Sequence, residues 1–480
     1  MLYYYNSVTM SSPFDILSSI FGFLFSNSFI GQVILLILGI FVVYYLYKAF
    51  VEAWLFYRRS IYKDNIKWDL LEMRIPREVN KSPRAMEQFF VGLHGLGNFA
   101  GDFLEKYIDG EVTLWWSMEI VSYGGEVHFY IRTPKNRRKM IEALLYAQYP
   151  TVELVDVKDY MDDFPKDTKE IYKKDYNIFG SEVILRKEDA YPIRTYEDFG
   201  LDKMSSSREE GEIKSGIDPI SALLEALGGI QKEENVYVQI LVRPANNKWR
   251  DEAKKVAAKL LGIEEKKEVK KQGAGAGLAE FGYNLIKAPV EHPTWAEEKK
   301  EVKEEKKKEI TSSDKKIAEA IEKSMSKPGF ESLIRFLYYA PKSIFSVNFA
   351  RRGLLGAFNQ YATPDLNSFR SNSKVETRTR WVYFPHLFVK QRVEARKQRI
   401  LHNYRNRKLP EESTWGKVTV SHPFNVQLYS KTYILNTTEL ATLYHIPTEH
   451  VLTGPHIKRV ESKRMGPPAG LPIYGEEEEK

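Results

Sequence analysis

The stretch Thr113–Arg132, TLWWSMEIVSYGGEVHFYIR, decides the fold of the first half of the chain. Apolar and polar side chains alternate through residues 113–121 and again through 126–132, which is the period of a half-buried β-strand. Gly124 and Gly125 separate the two runs, and paired glycines supply the backbone conformations of a tight hairpin turn. The sequence therefore predicts a β-hairpin here.

The segments on either side of the hairpin extend it to a β-α-β-β-α-β unit. Residues 68–75 predict a strand, and Ser82-Pro83 begins a helix with apolar residues at helical spacing. After the hairpin, a helix is predicted from Thr133 to about Gln148, and a strand at 151–157. This order is that of the split βαβ, or ferredoxin-like, arrangement, an α+β fold with two helices on one face of an antiparallel sheet.

A second copy of this unit follows in the sequence. It is predicted to contain strands at 182–187, 236–243 and 333–339, a helix that begins at Asp218-Pro219, and a helix from Pro341 to about Phe358. We therefore expect tandem ferredoxin-like domains, at residues 48–160 and 180–370. A helix at 247–261 precedes a charged insertion, residues 264–311, whose dense mixed charge favours a solvated linker or an exposed single helix.

An apolar stretch of nineteen residues without charge, Phe29–Tyr47, precedes both copies. A helix of this length crosses about 28 Å, which matches the hydrocarbon thickness of a bilayer. The first basic residue is Lys48, and Asp15 is the only charge before it, so the positive-inside rule predicts a cytoplasmic body. Residues 1–28 are then an extracytoplasmic or interfacial segment. The alternative is a buried core helix. The predicted membrane-anchor residues are Phe29, Leu35, Leu38, Phe41 and Tyr47.

The composition limits the classes of protein. The chain has 480 residues, 28% of them charged, a mean hydropathy of −0.41 and no second apolar stretch of spanning length, which argues against a polytopic transporter. Without cysteine it has no disulfide, thiol nucleophile or thiolate metal site. The net charge of +7 is mild for this length, so local clusters of charge carry more information.

Residues 371–409 form a basic segment, with a helix predicted from Leu387 to Tyr404. Aromatic residues alternate with the cations, as in surfaces that follow a nucleic-acid backbone. An anionic lipid surface, an acidic protein partner or the solvated side of a long helix explains the same pattern. The candidate surface residues are Arg378, Arg380, Lys390, Arg392, Arg396, Lys397, Arg399, Arg405, Arg407 and Lys408.

No catalytic, cofactor or metal site is predicted. The chain contains no G-x-x-x-x-G-K-[ST] phosphate loop. His445, His450 and His456 lie near Glu449, but H-E-x-x-H is absent and prolines interrupt any common helix face. In the C-terminal segment, residues 410–480, we predict strands at 417–421 and 425–429 and a short helix that begins at the capping pattern Asn436-Thr437-Thr438-Glu439.

Several long phrases resemble a known family. RIPREVNKSPRAMEQFFVGLHG, WWSMEIVSYGGEVHFYIRTPKNRRKMIEALLYAQYPTVEL, IDPISALLEALGGIQKEENVYVQILVRPA and LNTTELATLYHIPT, together with PPAGLP, resemble the membrane-anchored amino-terminal region of bacterial type IV secretion-like ATPases. Those proteins belong to the conjugative, HerA and FtsK-type class of DNA motors. In such motors the last two phrases lie ahead of the nucleotide-binding domain, whereas here the chain ends soon after them.

The resemblance implies a membrane-anchored, non-catalytic adaptor in a type IV secretion-like DNA or protein translocation apparatus. It would dock a separately encoded motor ATPase at the inner membrane, as a homo-oligomer, with a hexamer matching the motor ring. DNA is a further candidate partner. The alternative is a membrane-tethered nucleic-acid-binding protein that acts without a motor. The residues implied in motor docking are Asn436, Glu439, Leu440, Leu443, Tyr444, Pro467 and Pro468.

Overall fold

The computed structural model describes residues 29–76, 79, 81–99, 101–202, 218–263, 311–378, 387–424 and 429–447. The chain divides into two compact units. The helical unit consists of the described parts of residues 1–66, 99–112 and 410–428, and the sheet unit consists of the described parts of the remaining chain.

The described α-helices are numbered in chain order. They are α1 Phe29–Asn65, α2 Arg84–Gly95, α3 Arg138–Gln148, α4 Thr168–Lys173, α5 Ser221–Gly228, α6 Lys248–Leu260, α7 Ser312–Met325, α8 Leu354–Ala357, α9 Val389–Arg405, α10 Thr414–Thr419 and α11 Thr437–Leu443. Two π-helices, Glu105–Asp109 and Phe349–Gly353, and two 3₁₀-helices, Lys135–Arg137 and Phe358–Tyr361, accompany them.

The described strands form one antiparallel sheet. They are β1 Trp68–Arg74, β2 Trp116–Tyr123, β3 Glu126–Pro134, β4 Glu153–Val157, β5 Tyr176–Leu185, β6 Asn235–Pro244, β7 Gly329–Pro341, β8 Phe369–Ser371 and β9 Tyr433–Asn436. The strand order is β4-β1-β3-β2-β6-β7-β5-β8, and β9 pairs with the beginning of β7. Strands β2 and β6 pair along their length, with Trp116 opposite Val242 at one end and Tyr123 opposite Asn235 at the other. Both predicted copies therefore contribute to a single sheet.

The predicted hairpin at residues 113–132 is confirmed as β2 and β3. Gly124 and Gly125 have φ values of 56° and 95°, in the left-handed region that glycine adopts without strain. A Cβ atom at Gly124 would lie 2.6 Å from the carbonyl oxygen of Lys232, so the turn also needs glycine for space.

Helices cover one face of the sheet, and α2, α3 and α5 lie where the sequence predicts helices. Four apolar residues of α2 (Met86, Phe89, Phe90 and Leu93) are fully buried. The helix predicted from Pro341 is displaced, because β7 continues to Pro341 and the helical stretch begins near Phe349. The strand predicted at 417–421 is wrong. Residues 414–419 form α10, whose start is capped by the hydroxyl of Ser413, which accepts a hydrogen bond from the N–H of Gly416.

Four further α-helices and strands had no prediction: α4, α7, β8 and β9. Helix α7 begins directly after its N-cap Thr311, which forms a capping box with Asp314. Most of the charged insertion, residues 264–310, lies outside the described residues, as do residues 1–28 and the second strand predicted at 425–429, except for Tyr429.

The basic helix α9 packs on the other face of the sheet. Its Ile400, Leu401 and Tyr404 belong to an apolar cluster with Tyr237 of β6 and Leu337 of β7. The side chains of β2 that alternation assigns to a polar face are consequently buried as well. Both faces of the central strands are therefore covered by protein.

Candidate functional site

A row of polar side chains crosses the covered face beneath α9. Glu119 on β2 pairs directly with Gln239 on β6, Gln239 with Arg335 on β7, and Arg335 with Glu182 on β5. Residues opposite each other on adjacent strands point to the same face, so their side chains meet. All four residues are fully buried. We call this set the polar row.

Hydrogen bonds connect the polar row from end to end. Gln239 donates from Nε2 to Oε1 of Glu119 over 3.1 Å, and Arg335 donates from Nη1 to Oε1 of Gln239 over 3.1 Å. At the far end, Nη2 of Arg335 lies 3.0 Å from Oε1 of Glu182, whose other oxygen accepts from the hydroxyl of Ser430. The row thus alternates donors and acceptors across four strands.

The residues that follow α9 complete this network. Arg407 has no exposed side-chain surface and donates to both carboxylate oxygens of Glu119, over 2.9 and 3.1 Å. Its Nη1 and Nη2 atoms also donate to Asp159, over 2.5 and 2.9 Å. Two-pronged pairing with carboxylates is the geometry that the planar guanidinium favours.

Side chains of the row also satisfy the carbonyl groups at the C-terminal end of α9. Arg335 donates to the carbonyl oxygens of Asn403 and Lys408, over 3.1 and 3.2 Å, and Gln239 donates to that of Tyr404. The last carbonyls of a helix have no partner within the helix and carry partial negative charge, so a buried guanidinium there is favourable. The polar row thereby fixes where α9 ends on the sheet.

The charges in this network support one another. Burial alone would raise the pKa of Glu119, but the charge and hydrogen bonds of Arg407 outweigh it and lower the pKa to about 2. Burial and the charge of Glu119 raise the pKa of Tyr160 well above its ordinary value, so its hydroxyl remains a donor to Glu119. One atom of the network, Nε of Arg335, is buried without a hydrogen-bond partner. The arrangement favours a structural ionic network over a reactive group.

The two halves of the sheet carry polar side chains at equivalent positions on three adjacent strands. On β1, β3 and β2, Glu72, Tyr130 and Glu119 lie side by side, and on β5, β7 and β6 the corresponding residues are Glu182, Arg335 and Gln239. The sequence prediction did not include the polar row. The signal that could have located it is the recurrence of polar residues in one register of two similar units.

At least four of the ten residues of the predicted basic surface are engaged within the protein. Arg396 donates to the carbonyl oxygens of Glu376 and Arg378, Lys397 to Tyr172 and Asn177, and Arg405 to Phe164 and Pro165. Arg407 is buried in the network described above. Arg378, Lys390 and Lys408 are exposed, Arg392 and Arg399 are half-buried, and Arg380 lies outside the described residues.

Five of the seven residues implied in motor docking lie in the core of the sheet unit. Asn436 and Glu439 form the predicted capping box at the start of α11, and Leu440, Leu443 and Tyr444 are buried. Glu439 also accepts from the N–H of Ile193, 2.8 Å away, while burial raises its pKa to about 7. These side chains therefore hold α11 against the sheet and α2. Pro467 and Pro468 lie outside the described residues.

The helix α1 holds the predicted anchor residues. Phe29, Leu38, Phe41 and Tyr47 are exposed, and Leu35 is half-buried. The helix is longer than the predicted span, since it continues to Asn65. The most apolar 18-residue window of Gly31–Asn65 has a mean hydropathy of 2.2 and is 0% buried, so α1 is long and apolar enough to cross a membrane.

The described residues contain no group of three or more His, Asp or Glu side chains placed to hold a metal ion. His445 is buried, and its two ring nitrogens contact the carbonyl oxygen of Ala441 and Oδ1 of Asp218, each over 2.8 Å. His450 and His456 lie outside the described residues.

The fold defines a mixed α+β protein with one antiparallel sheet and one apolar N-terminal helix that is compatible with a membrane anchor. The chain belongs to the DUF8128 family, described as a domain of unknown function, whose profile matches residues 59–459. The matched range begins within α1 and covers the sheet unit. No curated protein matches the chain.

Proposed function

We propose that this protein is a membrane-anchored, non-catalytic scaffold. The observation that carries the proposal is α1, whose most apolar 18-residue window has a mean hydropathy of 2.2 and is 0% buried. The buried ionic network supports a structural role for the body, because its charged groups pair with one another beneath α9. Charge asymmetry around the apolar stretch supports an inner-membrane protein with its N-terminus outside and its body in the cytoplasm.

The sheet unit, in this proposal, consists of two ferredoxin-like halves fused edge to edge. Each half has the same strand order, β4-β1-β3-β2 in the first and β8-β5-β7-β6 in the second. The equivalent positions of the polar row support the same duplication. The fusion along β2 and β6 removes two exposed sheet edges, which are otherwise sites of unwanted strand pairing.

The partner we propose is a motor ATPase of the type IV secretion, HerA or FtsK class, which the protein would hold at the membrane as an oligomer matching the motor ring. The support for this partner is the resemblance of the long sequence phrases. Since Asn436–Tyr444 are part of the core, their side chains are not a docking surface in this conformation. The residues after Pro447, which include Pro467 and Pro468, remain the docking candidate.

A pull-down tests this partner. Full-length protein is purified in detergent from its own cells, beside a truncation that ends at Pro447 and so retains α11. We expect mass spectrometry to recover a phosphate-loop ATPase with the full chain and to lose it with the truncation. Recovery of nucleic acid without any ATPase would refute the motor proposal and favour the tethered nucleic-acid-binding protein.

A further inference from the structure

Two segments that are far apart in the sequence pack on the same part of α1, just after the predicted span. We call them the collar: the described parts of residues 99–112 and residues 410–424. The first segment runs alongside α1 in the same direction. The indole N–H of Trp54 donates to the carbonyl oxygen of Tyr107 over 2.7 Å, and two helical turns further on the hydroxyl of Tyr62 donates to Glu111 over 3.3 Å.

A glycine makes this contact close. Gly110 has a φ of 70°, and a Cβ atom there would lie 2.5 Å from the backbone carbonyl carbon of Arg58. The backbone of the first segment therefore lies directly on α1, and Nε of Arg58 also donates to the carbonyl oxygen of Ile108 over 2.5 Å.

The second segment runs in the opposite direction along α1. Glu411 forms an ion pair with Lys63 over 3.2 Å, and four residues later the N–H of Trp415 lies 3.4 Å from a carboxylate oxygen of Glu52. Following the chain from Glu411 to α10 thus leads back toward the apolar end of α1. Both segments direct one end toward the predicted span.

Those ends expose large apolar side chains. Phe103 is 69% exposed, Leu104 is 65%, Trp415 is 46% and Val418 is 60%. Single exposed apolar residues are ordinary on soluble surfaces, but a cluster of them around a protruding apolar helix indicates an interaction surface.

The position of these exposed apolar side chains along the axis of α1 indicates that their partner is the headgroup region of a bilayer. Glu52, the contact of Trp415, lies about 8 Å beyond Tyr47 along the helix. Phe103 and Leu104 precede Tyr107 in a segment parallel to α1, so they lie on the Tyr47 side of Trp54. The headgroup region of a bilayer extends about 5–8 Å beyond its hydrocarbon core, so the cluster lies at that level.

The charges of the collar indicate how it would bind. Its described acidic residues (Asp102, Glu105, Asp109, Glu111, Glu411 and Glu412) outnumber its basic residues, Lys106 and Lys417. Attraction to anionic lipid is therefore not the driving force. Burial of aromatic and aliphatic side chains at the boundary of headgroups and acyl chains, which Trp favours, needs no such charge.

We propose that the collar lies in the interface of the bilayer that α1 spans and inserts Phe103, Leu104, Trp415 and Val418 into the boundary between headgroups and acyl chains. This inference rests on the proposed membrane anchor. It gives α1 two additional contacts with the membrane and so restricts the tilt of the helix where it leaves the bilayer.

Site-specific labelling tests the collar, because the chain has no cysteine. Four single-cysteine variants of the full-length protein, Leu38→Cys, Phe103→Cys, Val418→Cys and Asp64→Cys, are labelled with an environment-sensitive fluorophore and reconstituted in zwitterionic nanodiscs. Quenching by lipids with a nitroxide near the headgroup is compared with quenching by aqueous iodide. Asp64 is the matched control, since it is exposed on the helical unit about 25 Å beyond Tyr47.

We expect the labels at positions 103 and 418 to be quenched by the shallow lipid nitroxide and to be severalfold less accessible to iodide than the label at 64. If position 38 is protected from iodide while 103 and 418 behave like 64, the collar proposal is wrong and the anchor remains. If position 38 is itself accessible to iodide, the membrane anchor fails and the collar proposal fails with it.

Discussion

Replacing Arg407 with methionine would remove the cation that joins the end of α9 to the sheet. Arg407→Met keeps a side chain of similar length but leaves Glu119, which is fully buried, without its two hydrogen bonds from a guanidinium. Breaking a buried ion pair by removal of one partner costs about 3–5 kcal/mol. Burial alone would raise the pKa of Glu119, and Arg407 is the main group that lowers it to about 2, so its loss leaves a buried carboxylate without its main compensation.

Urea unfolding of the full-length protein in mild detergent, followed by tryptophan fluorescence, measures this cost. The matched control is Lys408→Met, which removes the neighbouring exposed cation and should change the free energy of unfolding by less than about 0.5 kcal/mol. In a double-mutant cycle with Glu119→Gln, the two substitutions together should cost at least about 1 kcal/mol less than the sum of the single variants.

The pH dependence of this cost has a defined sign. In the wild-type protein the pKa of Glu119 is lowered, so its contribution to stability is present above about pH 4.5 and is lost as the pH falls toward 2. In Arg407→Met, burial dominates and the pKa rises above 4.5, so protonation relieves the buried charge. The cost of the substitution should therefore be smaller at pH 5 than at pH 7.5. A cost below about 0.5 kcal/mol at both values, or additivity in the cycle, would refute the ionic network.

Three further predictions concern other parts of the chain. Because the pKa of Glu439 is raised to about 7, the free energy of unfolding of the wild-type protein should fall by up to about 3 kcal/mol as the pH rises from 4.5 to 7. Glu439→Gln should remove that part of the pH profile. An unchanged profile would contradict the burial of an ionisable group at this position. Gly110→Ala should destabilise the packing of the first collar segment on α1 by about 1–2 kcal/mol, which limited proteolysis would detect as faster cleavage within residues 99–112. The control Gly95→Ala, where a Cβ atom meets open space, should not change the cleavage rate. Equal rates in both variants would count against the close packing on α1. Phe90→Ala should destabilise the sheet unit by about 3–5 kcal/mol in urea unfolding. The control Val91→Ala, at the exposed neighbouring residue, should change the free energy of unfolding by less than about 0.5 kcal/mol. Similar effects of the two variants would show that α2 is packed on a different face.

Local patterns predicted the elements in which apolar and polar side chains lie on different sides. The hairpin around Gly124 and Gly125 and the helix α2 were found because alternation and helical spacing record which side chains meet the core. The capping box of Asn436 and Glu439 located α11 because that signal depends on residues only three positions apart. Residues 417–421 gave no such signal, and their assignment as a strand was wrong, because residues 414–419 form α10.

The polar row was not predictable from alternation. Glu119 follows the pattern of a solvated strand face, but α9, about 270 residues later, covers that face. The same long-range packing changes the interpretation of the basic segment. Arg396, Lys397, Arg405 and Arg407 have the sequence pattern of a charged surface. In the folded sheet unit, however, the three arginines contact backbone carbonyls and buried carboxylates, and Lys397 contacts the side chains of Tyr172 and Asn177.

The role of α1 in holding the protein at a membrane is the central claim, and alkaline extraction of membranes tests it most directly. Membranes from the protein's own cells are washed at high pH, which removes peripheral proteins and leaves spanning ones. We predict that the full-length protein remains in the pellet, and that a variant carrying Leu38→Arg and Phe41→Arg within α1 is released, because charged residues at the centre of a span are costly. Release of the wild-type protein into the supernatant would contradict the account.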